Sequence, residues 1–126
     1  MAPTTNSRAI KRTWAELPKD FPMPLLERRR VIGERMMISE VLLKPGCLVP
    51  VHSHMNEQFT CILRGRLRFT FGDSGQEPIT VGPGEVLVLP AHVPHGAEAL
   101  EETLLLDLFS PPSATTGIDR PGPHSG

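Results

Sequence analysis

The sequence predicts an all-β fold, a sandwich or barrel of short strands, and three observations carry that expectation. Apolar and polar residues alternate along short runs, most cleanly from Arg66 to Phe71. There Leu67, Phe69 and Phe71 fall on one face and Arg66, Arg68 and Thr70 on the other. Turn residues punctuate the chain between such runs, and no segment combines a helical period with capping signals.

Taken in order, residues 1–24 are expected to form an irregular N-terminal extension, because Pro18, Pro22 and Pro24 interrupt any regular element. Within it, Trp14 and Phe21 are the side chains expected to dock, onto the body or onto a partner subunit. Strands are expected over 37–43, 58–63, 66–71, 78–81, 86–89, 96–100 and 103–109. Lys44-Pro45-Gly46, Arg64-Gly65, Gly72–Gly75 and Gly82-Pro83-Gly84 supply the turns. The barrel is thus assigned to 25–110. Residues 111–126, rich in Pro, Gly and Ser, are expected to be a flexible tail that leaves His124 in solvent.

A chain of 126 residues supports one core. Thirteen basic and 14 acidic residues give a formal charge of -1, which speaks against a nucleic-acid or membrane-surface partner. No apolar run nears the roughly 18 residues of a membrane span. The first residues lack the apolar core of a signal peptide, so the cytoplasm is the expected compartment. Two cysteines, Cys47 and Cys61, are too few for a disulfide scaffold and read as reduced thiols.

The chemistry concentrates in two segments. Between Gly46 and Gly65 lie His52, His54 and Gln58; between Gly84 and Gly96 lie Pro90, His92 and His95. A strand points residues i and i+2 to the same side, so His-x-His makes a two-pronged grip on a metal ion. His52, His54, Gln58 and His95 form the candidate ligand set. Glu57 competes with Gln58, but strand neighbours face opposite ways and only one of them can point inward. Imidazole and oxygen donors suit one divalent transition metal, Ni, Mn, Fe, Co or Zn, with about two coordination positions left open. A neutral Gln58 in place of a carboxylate leaves the site more positive, hence a stronger Lewis acid toward an anionic ligand.

These two segments resemble the two sequence motifs of the cupin superfamily, which are small jelly-roll barrels. Gly46, His52, His54, Gln58 and Gly65 match the first motif in spacing, with Gln58 where a carboxylate is usual. Gly84, Pro90 and His95 match the second, with His92 at a turn position normally taken by Gly. His is among the side chains that tolerate positive φ there. The stretch from Val93 to Leu100, with Leu105 to Pro112, resembles the single-domain cupins of the KdgF type, which ketonise unsaturated uronates. That resemblance implies that Asp107 transfers protons and that Phe109 contacts substrate. Period two places Leu105, Asp107 and Phe109 on one face of an apolar strand, where a carboxylate is rare without a partner or a function. The resembling enzymes carry Arg where this chain has Ser113. Arg35, Arg28 or Arg30 could replace it, and Arg35 is expected to share the inward face of Met37, Ser39 and Val41.

The sequence-based reading is therefore a cytoplasmic homodimeric cupin that acts on a small-molecule substrate. The leading activity is metal-dependent isomerisation or ketonisation of a small unsaturated uronate-like, hydroxy- or keto-acid, with Asp107 and His92 catalytic and Phe109 and Arg35 binding substrate. A non-haem Fe(II) dioxygenase and a non-catalytic sugar or metabolite sensor remain the alternatives.

Overall fold

A computed structural model describes residues 7–113; His124 and most of the expected tail lie outside these residues. Ten antiparallel strands form two sheets that share one core. They are β1 Asp20–Met23, β2 Leu26–Ile32, β3 Met37–Leu43, β4 Leu48–His52, β5 Glu57–Arg64, β6 Leu67–Thr70, β7 Ile79–Val81, β8 Val86–Leu89, β9 His95–Ala99 and β10 Thr103–Ser110. The six-stranded sheet runs β1-β2-β3-β10-β5-β8, and the four-stranded sheet runs β4-β9-β6-β7. A short 3-10 turn, Trp14–Glu16, is the only helical element among the described residues.

The alternation seen in the sequence becomes burial. Inward residues of β3, Met37, Ser39, Val41 and Leu43, are all buried, and so are Leu67 and Phe69 of β6. Leu26, Val41, Ile62, Leu89 and Leu105 from the large sheet meet Leu67, Phe69, Val81, Ala97 and Ala99 from the small one. Burying a Leu- or Phe-sized side chain contributes about 1.5–3 kcal/mol, so this cluster dominates the stability of the barrel.

Two glycines let the sheets close. Gly65 has φ +94°, and a Cβ there would lie 2.3 Å from the Glu102 carbonyl oxygen. Only glycine fits that turn. At Gly96 a Cβ would lie 2.9 Å from the Val49 carbonyl oxygen, so a bare backbone lets β9 approach β4 beside His52 and His95.

Three local expectations need correction. Residues 20–23, expected to be irregular, form β1, an edge strand in register with β2 through Asp20↔Arg28. Pro22 is compatible because an edge strand leaves one row of N–H groups without a ladder partner. Of the two aromatic residues expected to dock onto the body or a partner subunit, Trp14 is half-buried and Phe21, 65% exposed, does not dock onto the body; it is Met23 that packs on the core. Arg35 does not continue the inward face of β3. Gly33 N–H donates to the Met36 carbonyl oxygen, closing a turn that leaves Arg35 exposed between β2 and β3.

Candidate metal centre

β4 and β9 pair with His52 opposite His95, so the two motifs meet at one end of the barrel. β4 ends at His52, and His54 sits in the turn that follows rather than on the strand. The two histidines still converge. Ring centroids lie 4.4 Å apart for His52 and His95, 5.0 Å for His54 and His95, and 5.7 Å for His52 and His54. One ring nitrogen from each falls within 4.8 Å of the others.

Hydrogen bonds assign the nitrogens. His52 Nδ1–H donates to the Pro50 carbonyl (2.8 Å), His54 Nδ1–H to the Asn56 carbonyl (3.0 Å) and His95 Nδ1–H to the Val93 carbonyl (2.8 Å). A carbonyl only accepts, so each Nδ1 carries the proton and each neutral ring presents the Nε2 lone pair. This is the outer support that metal-binding imidazoles require. Burial also disfavours charge on two of the rings: desolvation lowers the pKa of His52 and takes that of His95 down to about 4.

Gln58 is inside and Glu57 outside, as strand alternation requires. Its amide N–H groups donate to Thr60 Oγ1 (2.9 Å) and to Asp107 Oδ1 (3.2 Å), which turns Oε1 toward the histidines. Oε1 lies 3.1 Å from His54 Nε2. With the proton on Nδ1, both of these atoms are acceptors. His95 Nε2 is buried and has no hydrogen-bond partner. Facing acceptors and an orphaned buried lone pair are what a cation would resolve. The residues therefore fit one divalent transition metal, held by His52, His54 and His95 with Gln58 Oε1 as the neutral oxygen donor.

The centre opens on a cavity in the barrel interior. Arg28, Ser39, Gln58, Asp107 and Phe109 line it together with apolar core residues. Asp107 is on β10, opposite Ser39 of β3 and Thr60 of β5. Thr60 Oγ1–H donates to Asp107 Oδ1 at 2.5 Å, and Gln58 donates to the same oxygen. Oδ2 is thus left for a ligand. The carboxyl faces the cavity rather than bulk water, and desolvation raises its pKa to about 6 against the opposing pull of Thr60, Gln58 and the Arg28 charge. Phe109 stands edge-on to His54, with centroids 5.8 Å apart.

Two expected site residues fall elsewhere. His92 has φ +69°, as its turn position demands, but its side chain is exposed and does not line the cavity. Its backbone N–H instead donates to the His54 carbonyl at 2.8 Å, tying one motif to the other. Arg35 is likewise outside, and Arg28, buried on the inward face of β2, is the arginine that lines the cavity. Thr60 went unnoticed in the sequence, although period two from Gln58 places it inward.

Residues 39–109 match the sequence model of the family described as Cupin domain. The chain is 32% identical over 77 residues to oxalate decarboxylase OxdC of Bacillus subtilis (strain 168). That match covers 60% of this chain and 20% of that protein, so the chain spans about a fifth of the curated relative it matches. KdgF from Halomonas sp. superposes with a TM-score of 0.71 at 27% identity, covering 79% of this chain and 92% of that one. An RmlC-like cupin from Shewanella frigidimarina gives a TM-score of 0.74 at 21% identity, over 82% and 91%, a likeness of fold alone.

Proposed function

This chain belongs to the cupin family, and from that footing we propose that it is a metal-dependent enzyme that ketonises or isomerises a small unsaturated uronate-like, hydroxy- or keto-acid. One observation carries the reading. A carboxyl with its pKa near 6 sits in the cavity, hydrogen-bonded to the very amide that completes the ligand set. Ketonisation moves one proton from an enol oxygen to carbon and transfers no net electrons, so a single group that gives and takes protons near neutrality suffices. Asp107 Oδ2 is the atom that holds the migrating proton, while Thr60 and Gln58 fix Oδ1 and so aim the carboxyl. A divalent ion bound by the histidines and Gln58 would supply Lewis acidity toward a substrate oxygen. Phe109 and the apolar walls restrict the substrate and shield the proton from bulk water. The similarity to KdgF across most of both chains supports the same substrate class.

The homodimer and the cytoplasmic setting stay part of this proposal. No helix among the described residues is long and apolar enough to cross a membrane. Phe59, Leu63, Val86 and Val88 form an exposed apolar strip on β5 and β8 that a second copy would cover.

The test is a panel of unsaturated uronates incubated with metal-loaded protein while conjugated absorbance is followed. Loss of absorbance is expected, with Asp107→Asn lowering kcat by about 10²–10⁴ at unchanged metal content. A panel without turnover rejects the activity, and a fully active Asp107→Asn removes the carboxyl from the mechanism.

A further inference from the structure

On the inner wall made by β3, β10 and β5 the side chains form rows across the strands. Met37, Phe109 and Gln58 make the row at the metal centre, Ser39, Asp107 and Thr60 the next, and Val41, Leu105 and Ile62 the one beyond. Successive rows are about 6.6 Å apart along a strand. Apart from the metal-binding amide, the polar side chains of this wall therefore form one band, a carboxyl with a hydroxyl on each side. The two hydroxyls are used differently. Thr60 Oγ1–H donates to Asp107 Oδ1 and the same oxygen accepts from the Gln58 amide, so both of its bonds lie within the protein. Ser39 is 2% exposed and lines the cavity, and its hydroxyl makes no hydrogen bond to the described residues.

The inward run of β3 is otherwise apolar, Met37, Val41 and Leu43, and a hydroxyl in such a run is costly unless something bonds it. Register sets Ser39 directly opposite Asp107. Side chains so opposed have Cβ atoms roughly 4.5–5.5 Å apart, so a group lodged between them reaches both. Asp107 Oδ2 is open to the cavity because Thr60 and Gln58 hold Oδ1. A hydroxyl both donates and accepts. One ligand hydroxyl can therefore donate to Oδ2 and accept from Ser39 Oγ–H. Val41 and Leu105 in the next row offer it no hydrogen bond, which fixes its place one row from the metal-binding amide.

We propose that Ser39 binds a hydroxyl of the ligand beside Asp107, and that this contact makes the cavity select hydroxylated ring acids over ring acids without hydroxyls. Ser39 takes no part in proton transfer; it sets specificity and holds the ring against the carboxyl. The inference rests on the reading of the cavity as the site of a uronate-like acid, and it adds to that reading the residue that recognises the hydroxyl.

Calorimetric binding of D-galacturonate and cyclohexanecarboxylate to the metal-loaded full chain tests it without need of turnover. Both are six-membered ring acids, and only the first carries hydroxyls. The wild type is expected to prefer galacturonate. Ser39→Ala should weaken galacturonate binding about 3- to 10-fold, the worth of one neutral hydrogen bond, with cyclohexanecarboxylate binding and metal content unchanged. Ser39→Cys, close in shape but a weak hydrogen-bonding group, should lose most of the same preference. Without ligand, the denaturation midpoint of Ser39→Ala should equal or exceed that of the wild type, because the hydroxyl it removes has no partner among the described residues. A lower midpoint, or a variant that fails to fold, would show a hydroxyl bonded within the barrel and overturns the proposal. So does a wild type that binds the two acids equally or binds neither, or a Ser39→Ala that keeps the preference within about twofold. Uronate turnover with an unchanged KM in Ser39→Ala would sink this inference and leave the proposed activity standing. A Ser39-dependent preference without turnover of any uronate would do the reverse.

Discussion

The two ends of the cavity were built by different rules. At the metal end the donors come from short segments, His52 to Gln58 and Pro90 to His95, and each histidine is fixed by a carbonyl two residues away. At the Arg28 end the described contacts come from residues farther off in the chain. Arg28 depends on Asp20, eight residues earlier and across a strand pair, and its neighbours Val41 and Leu105 arrive from distant strands. Function carried by spacing within one loop is visible in a sequence; function carried by cross-strand register is not.

The largest effect expected separates the two ends outright. Ala at both His52 and His54 should abolish bound metal by elemental analysis, yet leave the barrel intact by circular dichroism. Full retention of metal would reject the ligand assignment. A second effect concerns the carboxyl between the ends. In the metal-free protein the folded-state pKa of Asp107 is about 6 against 3.8 for the free side chain, a difference worth about 3 kcal/mol. Because the unfolded chain loses this proton first, the cost is absent below pH 4, grows between pH 4 and 6 and is complete above that. The depressed histidines act in the opposite sense, losing stability as pH falls below 6.5, but they are common to wild type and Asp107→Asn and cancel in the comparison. Denaturant titrations should show Asp107→Asn gaining on the wild type from pH 4 to about 6 and keeping that gain up to pH 8; a gap that widens toward pH 4 contradicts the assignment. The smallest effect sharpens the choice of arginine. Arg35→Gln, in an exposed turn, should change stability by less than about 0.5 kcal/mol and leave KM for an acid substrate unaltered.

Much of the barrel and its metal end was legible. Alternation located β3, β6 and β8 closely and put Asp107 on the same face as Leu105 and Phe109, while the motif spacing chose Gln58 over Glu57 and alternation required only that one of the two point inward. The His-x-His argument reached convergence for a partly wrong reason, since His54 stands beyond the end of β4. Arg35 misled because the phase of β3 was carried backward through Met36, although Gly33 marks a turn. His92 misled because nearness in sequence to His95 was taken for nearness in space, whereas a positive φ turns its side chain outward to solvent. β1 was hidden by Pro22, a residue that an edge strand accepts. Asp20 was hidden with it.

The carbonyls of Pro50, Asn56 and Val93 settle each imidazole tautomer within its own loop. The wall formed by β2, β3 and β10 supplies none of those contacts. A change confined to the inward residues of β2 and β3 is thus expected to leave all three imidazoles oriented as they are, each held by a backbone carbonyl that no such change touches.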